Sequence, residues 1–130
     1  MIMMESSNYR ISQPISLNGV HDITICDYSI NGGLLSCIDL VDCYNIHITQ
    51  CELLNSDLSG ISLIGCDNIL IDNCYVANVL DGIHSLNGSN IQVKNNKIKK
   101  IGPQCMLVRF ENTGNDTAGA SSYSINNQFE

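Results

Sequence analysis

The chain has 130 residues, of which thirteen are acidic and six basic, giving a formal net charge of −7; seven are cysteine and none is tryptophan. That length is one domain's worth, so residues 1–130 are taken as a single unit. The acidic balance argues against a nucleic-acid partner, and with no stretch of 18 apolar residues a bilayer-spanning helix is excluded.

In chain order, MIMMESSNYR has no basic segment followed by an apolar one and does not read as a secretory leader. The expectation is a cytoplasmic or virion-associated protein whose Ile2 and Met4 begin a first strand. Ile15-Ser16-Leu17-Asn18-Gly19 then runs into Asp22-Ile23-Thr24-Ile25. The same skeleton returns as Ile38-Asp39-Leu40-Val41 with Asn45-Ile46-His47-Ile48, and as Ile61-Ser62-Leu63-Ile64 with Asn68-Ile69-Leu70-Ile71. A further copy is Ile83-His84-Ser85-Leu86 with Asn90-Ile91-Gln92-Val93. Met106-Leu107-Val108 takes the place of Ile61-Ser62-Leu63, and Tyr123-Ser124-Ile125-Asn126-Asn127 is the last trace.

Spacings of 22 and 23 residues are the mark of a repeat architecture. Stacked, the copies form columns of one chemical type. Ile2, Ile23, Ile46, Ile69, Ile91 and Tyr123 make one, and Met4, Ile25, Ile48, Ile71, Val93 and Ile125 lie two residues on. Ile15, Ile38, Ile61, Ile83 and Met106 make a third, followed by Leu17, Leu40, Leu63, Ser85 and Val108. Ile30, Leu53, Val76 and Ile98 complete the set. Apolar residues alternate with variable ones, the period of a strand with one buried face, and β-branched side chains suit a pleated surface. Asp22, Asn45, Asn68 and Asn90 share a column before a strand, where Asx side chains satisfy bend backbone and bond to their copies above and below. Gly60 and Gly82 mark a bend that needs positive φ or close backbone approach.

This arrangement, carried by Ile-Ser-Leu-Ile-Gly-Cys-Asp-Asn-Ile-Leu-Ile-Asp-Asn-Cys and its copies, resembles the right-handed parallel β-helix of pectate lyases, polygalacturonases, alginate epimerases and phage tailspikes. The resemblance implies an all-β solenoid of about five turns of 22–23 residues. It also implies where chemistry would sit. Catalysis in such families uses acidic residues from adjacent turns, with Ca²⁺ and an arginine or lysine in lyases, or an acid–base carboxylate set in hydrolases.

The outward column beside the second core strand reads Ser16, Asp39, Ser62, His84, Leu107. Asp39, Asp81, His84 and Arg109 are therefore the candidate catalytic residues, with Asp81 placed to orient His84 across the Gly82 bend. Asp39 and His84 stand two turns apart, about 10 Å at the strand spacing, too far for a direct hydrogen bond. Asp72 and Lys94 are neighbours that could pair, and Arg109 could equally form a salt bridge near Glu111. Seven Phe and Tyr residues in all are a poor supply of stacking platforms for sugar rings.

The cysteines have no CxxC or paired-histidine spacing, so no metal is expected. Cys51 and Cys74 share a column with Tyr28, and Cys43 and Cys66 share one with Val20; they read as buried reduced thiols, although adjacent turns are close enough for a disulfide. No terminal cap is recognisable, and Thr113–Ser122 is the one long unpatterned loop. Three functions fit. The first is a noncatalytic module for assembly or protein binding, in a phage or bacterial appendage or as a small acidic inhibitor. The second is a polysaccharide lyase or glycoside hydrolase, or a fragment of one, with Ca²⁺ as cofactor only in the lyase case. The third is a small-ligand binder at an oligomer seam or under the loop. Expected partners are a second copy, through the ends or a side, and a protein or acidic polysaccharide.

Overall fold

The computed structural model describes residues 9–99, 106–113 and 122–130. β1 (Arg10–Ser12) and β2 (Ile15–Asn18) precede β3 (His21–Cys26), β4 (Tyr28–Gly33) and β5 (Ile38–Val41). The next turn is β6 (Tyr44–Thr49) and the long β7 (Glu52–Ile64), and the one after it β8 (Asp67–Asp72) and β9 (Tyr75–Leu86). Then come β10 (Ser89–Lys94), β11 (Lys97–Lys99), β12 (Met106–Glu111), β13 (Tyr123–Ile125) and β14 (Gln128–Phe129). Each strand pairs in parallel with the strands one turn away.

β3, β6, β8, β10 and β13 stack into one sheet, with β8 between β6 and β10. The other strands form a second sheet that turns a corner inside β7 and β9, where the register shifts between Ser56 and Ser59. Its first half holds β1, β4, β11 and β14 with the starts of β7 and β9. Its second half holds β2, β5 and β12 with their ends. Five strands in the first stack mean about four turns among the described residues, where the repeat count gave about five for the whole chain.

The columns are the core. Ile25, Ile46, Ile48, Ile69, Ile71, Ile91 and Val93 are buried from one sheet, and Ile38, Leu40, Ile61, Leu63, Ile83, Ile30, Leu53, Val76 and Ile98 from the other. Burying so many aliphatic side chains at about 1.5–3 kcal/mol each is the main stabilising term. Ile2 and Met4 lie outside the described residues, as do Cys105 and positions 114–121 of the unpatterned loop.

Two strands depart from the expected register. Val108, not Met106, stands over Ile83, because Met106 pairs with Asp81. A two-residue slip keeps every side chain on its own face, so the alternation of Met106, Val108 and Phe110 fits either register equally well. In β13, Tyr123 pairs with Gln92 and Ser124 with Val93, one residue from expectation. Such a slip reverses the faces, and Tyr123 and Ile125 are accordingly exposed rather than core residues.

Asn127 bonds β13 to the preceding turn in that register. Cys51 and Cys74 direct their Sγ–H groups at the Ile25 and Ile48 carbonyls of the preceding turn, at 3.7 and 3.8 Å. Asn96 continues the column, its Nδ2 donating to the Ile71 carbonyl at 3.0 Å while its Oδ1 accepts from the Cys74 N–H at 2.9 Å. Asn127 then donates to the Val93 carbonyl at 2.9 Å. Cys43 and Cys66 do the same at another corner, toward the Leu17 and Leu40 carbonyls. Cys43, Cys51, Cys66 and Cys74 are thus more than small hydrophobes: each is a weak donor to backbone carbonyls at its corner.

All the described cysteines are free thiols. Burial pushes Cys37 and Cys66 up to about 11, so both are neutral at pH 7.5 and a poor target for alkylation. Partly exposed Cys26 is also pushed up to about 11, by desolvation and then by its bond to Asp27. Maleimide at pH 7.5 should label Cys26 slowly in the native chain and Cys37 and Cys66 only after denaturant is added. Peptide mass mapping checks this; rapid labelling of either buried thiol in the native state would contradict the packing.

The Asx column is a positive-φ ladder. Asp22, Asn45, Asn68 and Asn90 have φ between 54° and 59°, a region that Asn and Asp tolerate better than other side-chain-bearing residues. Asn45 donates to Asp22 at 2.9 Å, and Asn68 to Asn45. The last rung differs, because Asn90 reaches Asp67 Oδ1 at 3.0 Å, beside the Ser89 hydroxyl at 2.6 Å. Bonds from Ser89 and then Asn90 hold the Asp67 carboxyl below the usual range, and bonds from His21 and then Asn45 do so for Asp22. Folded values below unfolded ones mean stability that is complete above the unfolded carboxylate value of about 4 and lost as pH falls through the folded values. Asp67→Asn should therefore flatten part of the acid limb of a melting-temperature profile below pH 4. An unchanged limb would count against the Ser89 and Asn90 bonds.

Candidate functional site

The outward face of β2, β5, the end of β7, the end of β9 and β12 carries the candidates. Its central column reads Ser16, Asp39, Ser62, His84 and Arg109, since the two-residue slip of β12 puts Arg109 rather than Leu107 beside His84. Arg109 is bound on two sides. Its Nη2 donates to Asp81 Oδ2 at 2.8 Å and its Nη1 lies 3.2 Å from Glu111 Oε1. His84 Nε2 meets the same Glu111 oxygen at 2.6 Å.

Asp81, His84 and Arg109 therefore come together, joined by Glu111, which lies two residues beyond Arg109 and so on the same side of its strand. That i, i+2 relation was the available signal for Glu111. Asp81 does not orient His84, because its carboxylate is taken by Arg109. Asp39 is not in the cluster. Ser62 separates it from His84, and it lines a groove of about 270 Å³ with Ser16, Leu35, Leu58 and Ile64.

The other pair expected from the sequence also changes partner. Asp72 does stand over Thr49 and beside Lys94, but its Oδ1 is 2.8 Å from His47 Nε2 rather than in an ion pair with Lys94.

Chemically, the cluster is a chain of side-chain contacts, Asp81 to Arg109 to Glu111 to His84, spanning two turns. The guanidinium lies between the two carboxylates and holds them in place. The arginine Nε is buried with no hydrogen-bond partner. Among the described residues no three His, Cys, Asp or Glu side chains converge as ligands for a metal ion.

The sequence model of the right-handed β-helix region matches residues 13–129. The chain belongs to the right-handed β-helix family. No curated protein sequence matches it. Among solved structures, this β-helix is similar to the enzymatically active domain of tailspike protein 2 of bacteriophage CBA120, with a TM-score of 0.56 and 14% identity, covering 94% of this chain and 20% of that one. The chain thus spans a fifth of that domain's length, and at this identity the likeness is one of fold. No helix among the described residues is long and apolar enough to cross a membrane.

Proposed function

We propose that this chain is a noncatalytic β-helix module that works by binding and assembly, of the kind built into a phage or bacterial appendage. The observation that carries the reading is the self-paired state of the outward face: Arg109 is held by Asp81 and Glu111, and Glu111 by His84. A lyase needs a cation directed at a substrate carboxylate and a base within reach of its proton, and a hydrolase needs two carboxylates free to face one glycosidic bond. Here the cation and the acids are engaged with one another across adjacent turns, and Asp39 faces a different groove. The arrangement is suited to clasping β12 onto β9.

One observation favours a second reading, in which the chain is part of a polysaccharide-active enzyme. The structurally similar tailspike domain is described as enzymatically active. The two readings separate in a single experiment. Purified chain is incubated with neutral and acidic polysaccharides, with and without Ca²⁺, and followed by reducing ends and by ultraviolet absorbance of unsaturated sugars. Binding without turnover is the expected result for the module. Turnover that disappears in Asp81→Asn would overturn it.

For Arg109→Ala, loss of the clasp should lower stability by about 1–2 kcal/mol, chiefly because the largely buried Asp81 carboxylate loses its cation, with a smaller part from the exposed Glu111. Its melting temperature should fall while the circular dichroism of the folded state stays unchanged. An unaltered melting curve would contradict the clasp.

A further inference from the structure

Asp39 is left over once the outward face has paired its charges. On that side of the solenoid Asp81 is held by Arg109, and Glu111 by Arg109 and His84. On the other faces Asp72 meets His47, Asp67 meets Ser89 and Asn90, and Glu52 meets Ser29. Asp39 is partly buried, yet among the described residues it has no ion-pair partner. Withdrawing a carboxylate from water costs free energy that a matching donor restores.

The surroundings of Asp39 are shaped to supply that match from outside. The register sets it between Ser16 and Ser62 in one outward column, about 4.8 Å from each along the ladder. Leu35 and Leu58 from the neighbouring bend and Ile64 from β7 wall the same groove of about 270 Å³. Asp39 is its one charged lining residue, and no aromatic ring lines it.

We propose that this groove is a docking site for a lysine side chain presented by a partner protein. Charge selects a cation: Asp39 stands alone in the groove, and the chain as a whole carries −7, a field that draws basic partners and repels a second copy. Volume selects a side chain, because pockets that enclose a free ligand run to roughly 300–1,000 Å³. The apolar walls select a long aliphatic stem whose charged head stays near water, which describes lysine.

Donor count then favours the ammonium over a guanidinium. Seated between two rows, an ammonium donates to the Asp39 carboxylate and to the hydroxyl of Ser16 or Ser62, with its last N–H turned to solvent. A guanidinium carries more N–H groups than these acceptors satisfy and would press the rest against leucine and isoleucine. The proposal names a partner class for the binding reading above and rests on it. One side chain covers far less than the roughly 1,200 Å² of a stable interface, so an isolated lysine peptide should bind in the millimolar range.

The test is a titration of isotope-labelled chain with acetyl-Ala-Ala-Lys-Ala-Ala-amide to about 20 mM, read by backbone amide shifts. Saturable shifts should centre on Ser16, Asp39 and Ser62. Norleucine in place of the peptide's lysine keeps the stem and drops the charge, and should weaken binding at least tenfold. Trimethyllysine keeps the charge but has no N–H to donate and meets no aromatic cage here; at least a several-fold loss is expected. Asp39→Asn should lose at least tenfold, whereas Asp57→Asn, the same change of charge at an exposed neighbouring bend, should bind like wild type. Absence of saturable shifts at the three residues overturns the inference. So does equal binding of the lysine peptide and either analogue, the trimethyllysine case meaning only diffuse attraction to an acidic chain, and so does an Asp39→Asn protein that binds like wild type. The peptide comparisons use the unaltered chain, so they decide the matter even where a variant misfolds. The two readings fail separately: polysaccharide turnover would sink the noncatalytic module whatever the peptides did, and unbound peptide would remove this partner while leaving the module in place.

Discussion

Ile71→Asp should yield no folded chain. Ile71 lies in the middle of β8, stacked between Ile48 and Val93 and fully buried. Truncating such a side chain costs about 2–5 kcal/mol. Placing a carboxylate there adds several more, because no cation is near enough to pair with it and ionisation in the core is unfavourable. The total is comparable with the roughly 5–15 kcal/mol by which a whole domain is stable. Circular dichroism of the purified variant should lack a cooperative melt. The neighbouring position tests the face assignment. From the repeat alone Asp72→Ala would be silent, but Asp72 is largely buried and bonded to His47. A loss of about 0.5–1.5 kcal/mol in urea unfolding is expected instead. Equal behaviour of the two variants would refute the inward and outward assignment of β8.

A single added methyl at Gly82 should have the second-largest effect. Gly82 has no positive φ, so alanine can take its backbone conformation, and Gly→Ala changes at permissive sites usually stabilise by about 0.4–1 kcal/mol. Here the sign reverses. A Cβ at Gly82 would lie 2.2 Å from the Leu107 carbonyl oxygen and 3.0 Å from Ile98 Cγ2, so β12 must move off the end of β9. Overpacking of this kind costs about 1–3 kcal/mol, and the Asp81–Arg109 bond would be strained with it. Gly19→Ala is the contrasting case: its Cβ meets nothing within 4 Å, but its φ of +71° disfavours any side chain by about 1–2 kcal/mol. Urea midpoints for the two variants measure the contact cost against the backbone cost. A Gly82→Ala protein as stable as wild type would mean that β12 does not sit where described.

The two glycines singled out in the sequence thus divide the possibilities posed for them. Gly60 and Gly82 are needed for close approach, Gly60 because a Cβ there would lie 2.7 Å from the Gly82 carbonyl, while the positive φ falls to Asn, Asp, Gln50 and other glycines. The candidate site was legible to a similar depth. Asp81, His84 and Arg109 do meet, and the Arg109–Glu111 bridge follows from their i, i+2 places, but Asp81 pairs with Arg109 rather than with His84. That choice of partner depended on the position of β12, reached through a connection whose length the periodicity does not encode.

Sequence alone was enough to determine the parallel solenoid, the inward columns, the Asx ladder and the alignment of cysteines within columns. All follow from a local period of two and a repeat of 22 or 23 residues, and each repeat confirms its neighbour. Only the tertiary structure decided the register of β12 and β13, the donor role of the corner thiols with Asn96 and Asn127, and the closing of Arg109 on Asp81 and Glu111. Alternation is unchanged by the two-residue slip of β12, and the one-residue slip of β13 runs against it, so the choice fell to bonds between residues 28 to 34 apart. Such bonds exist only once the turns are stacked.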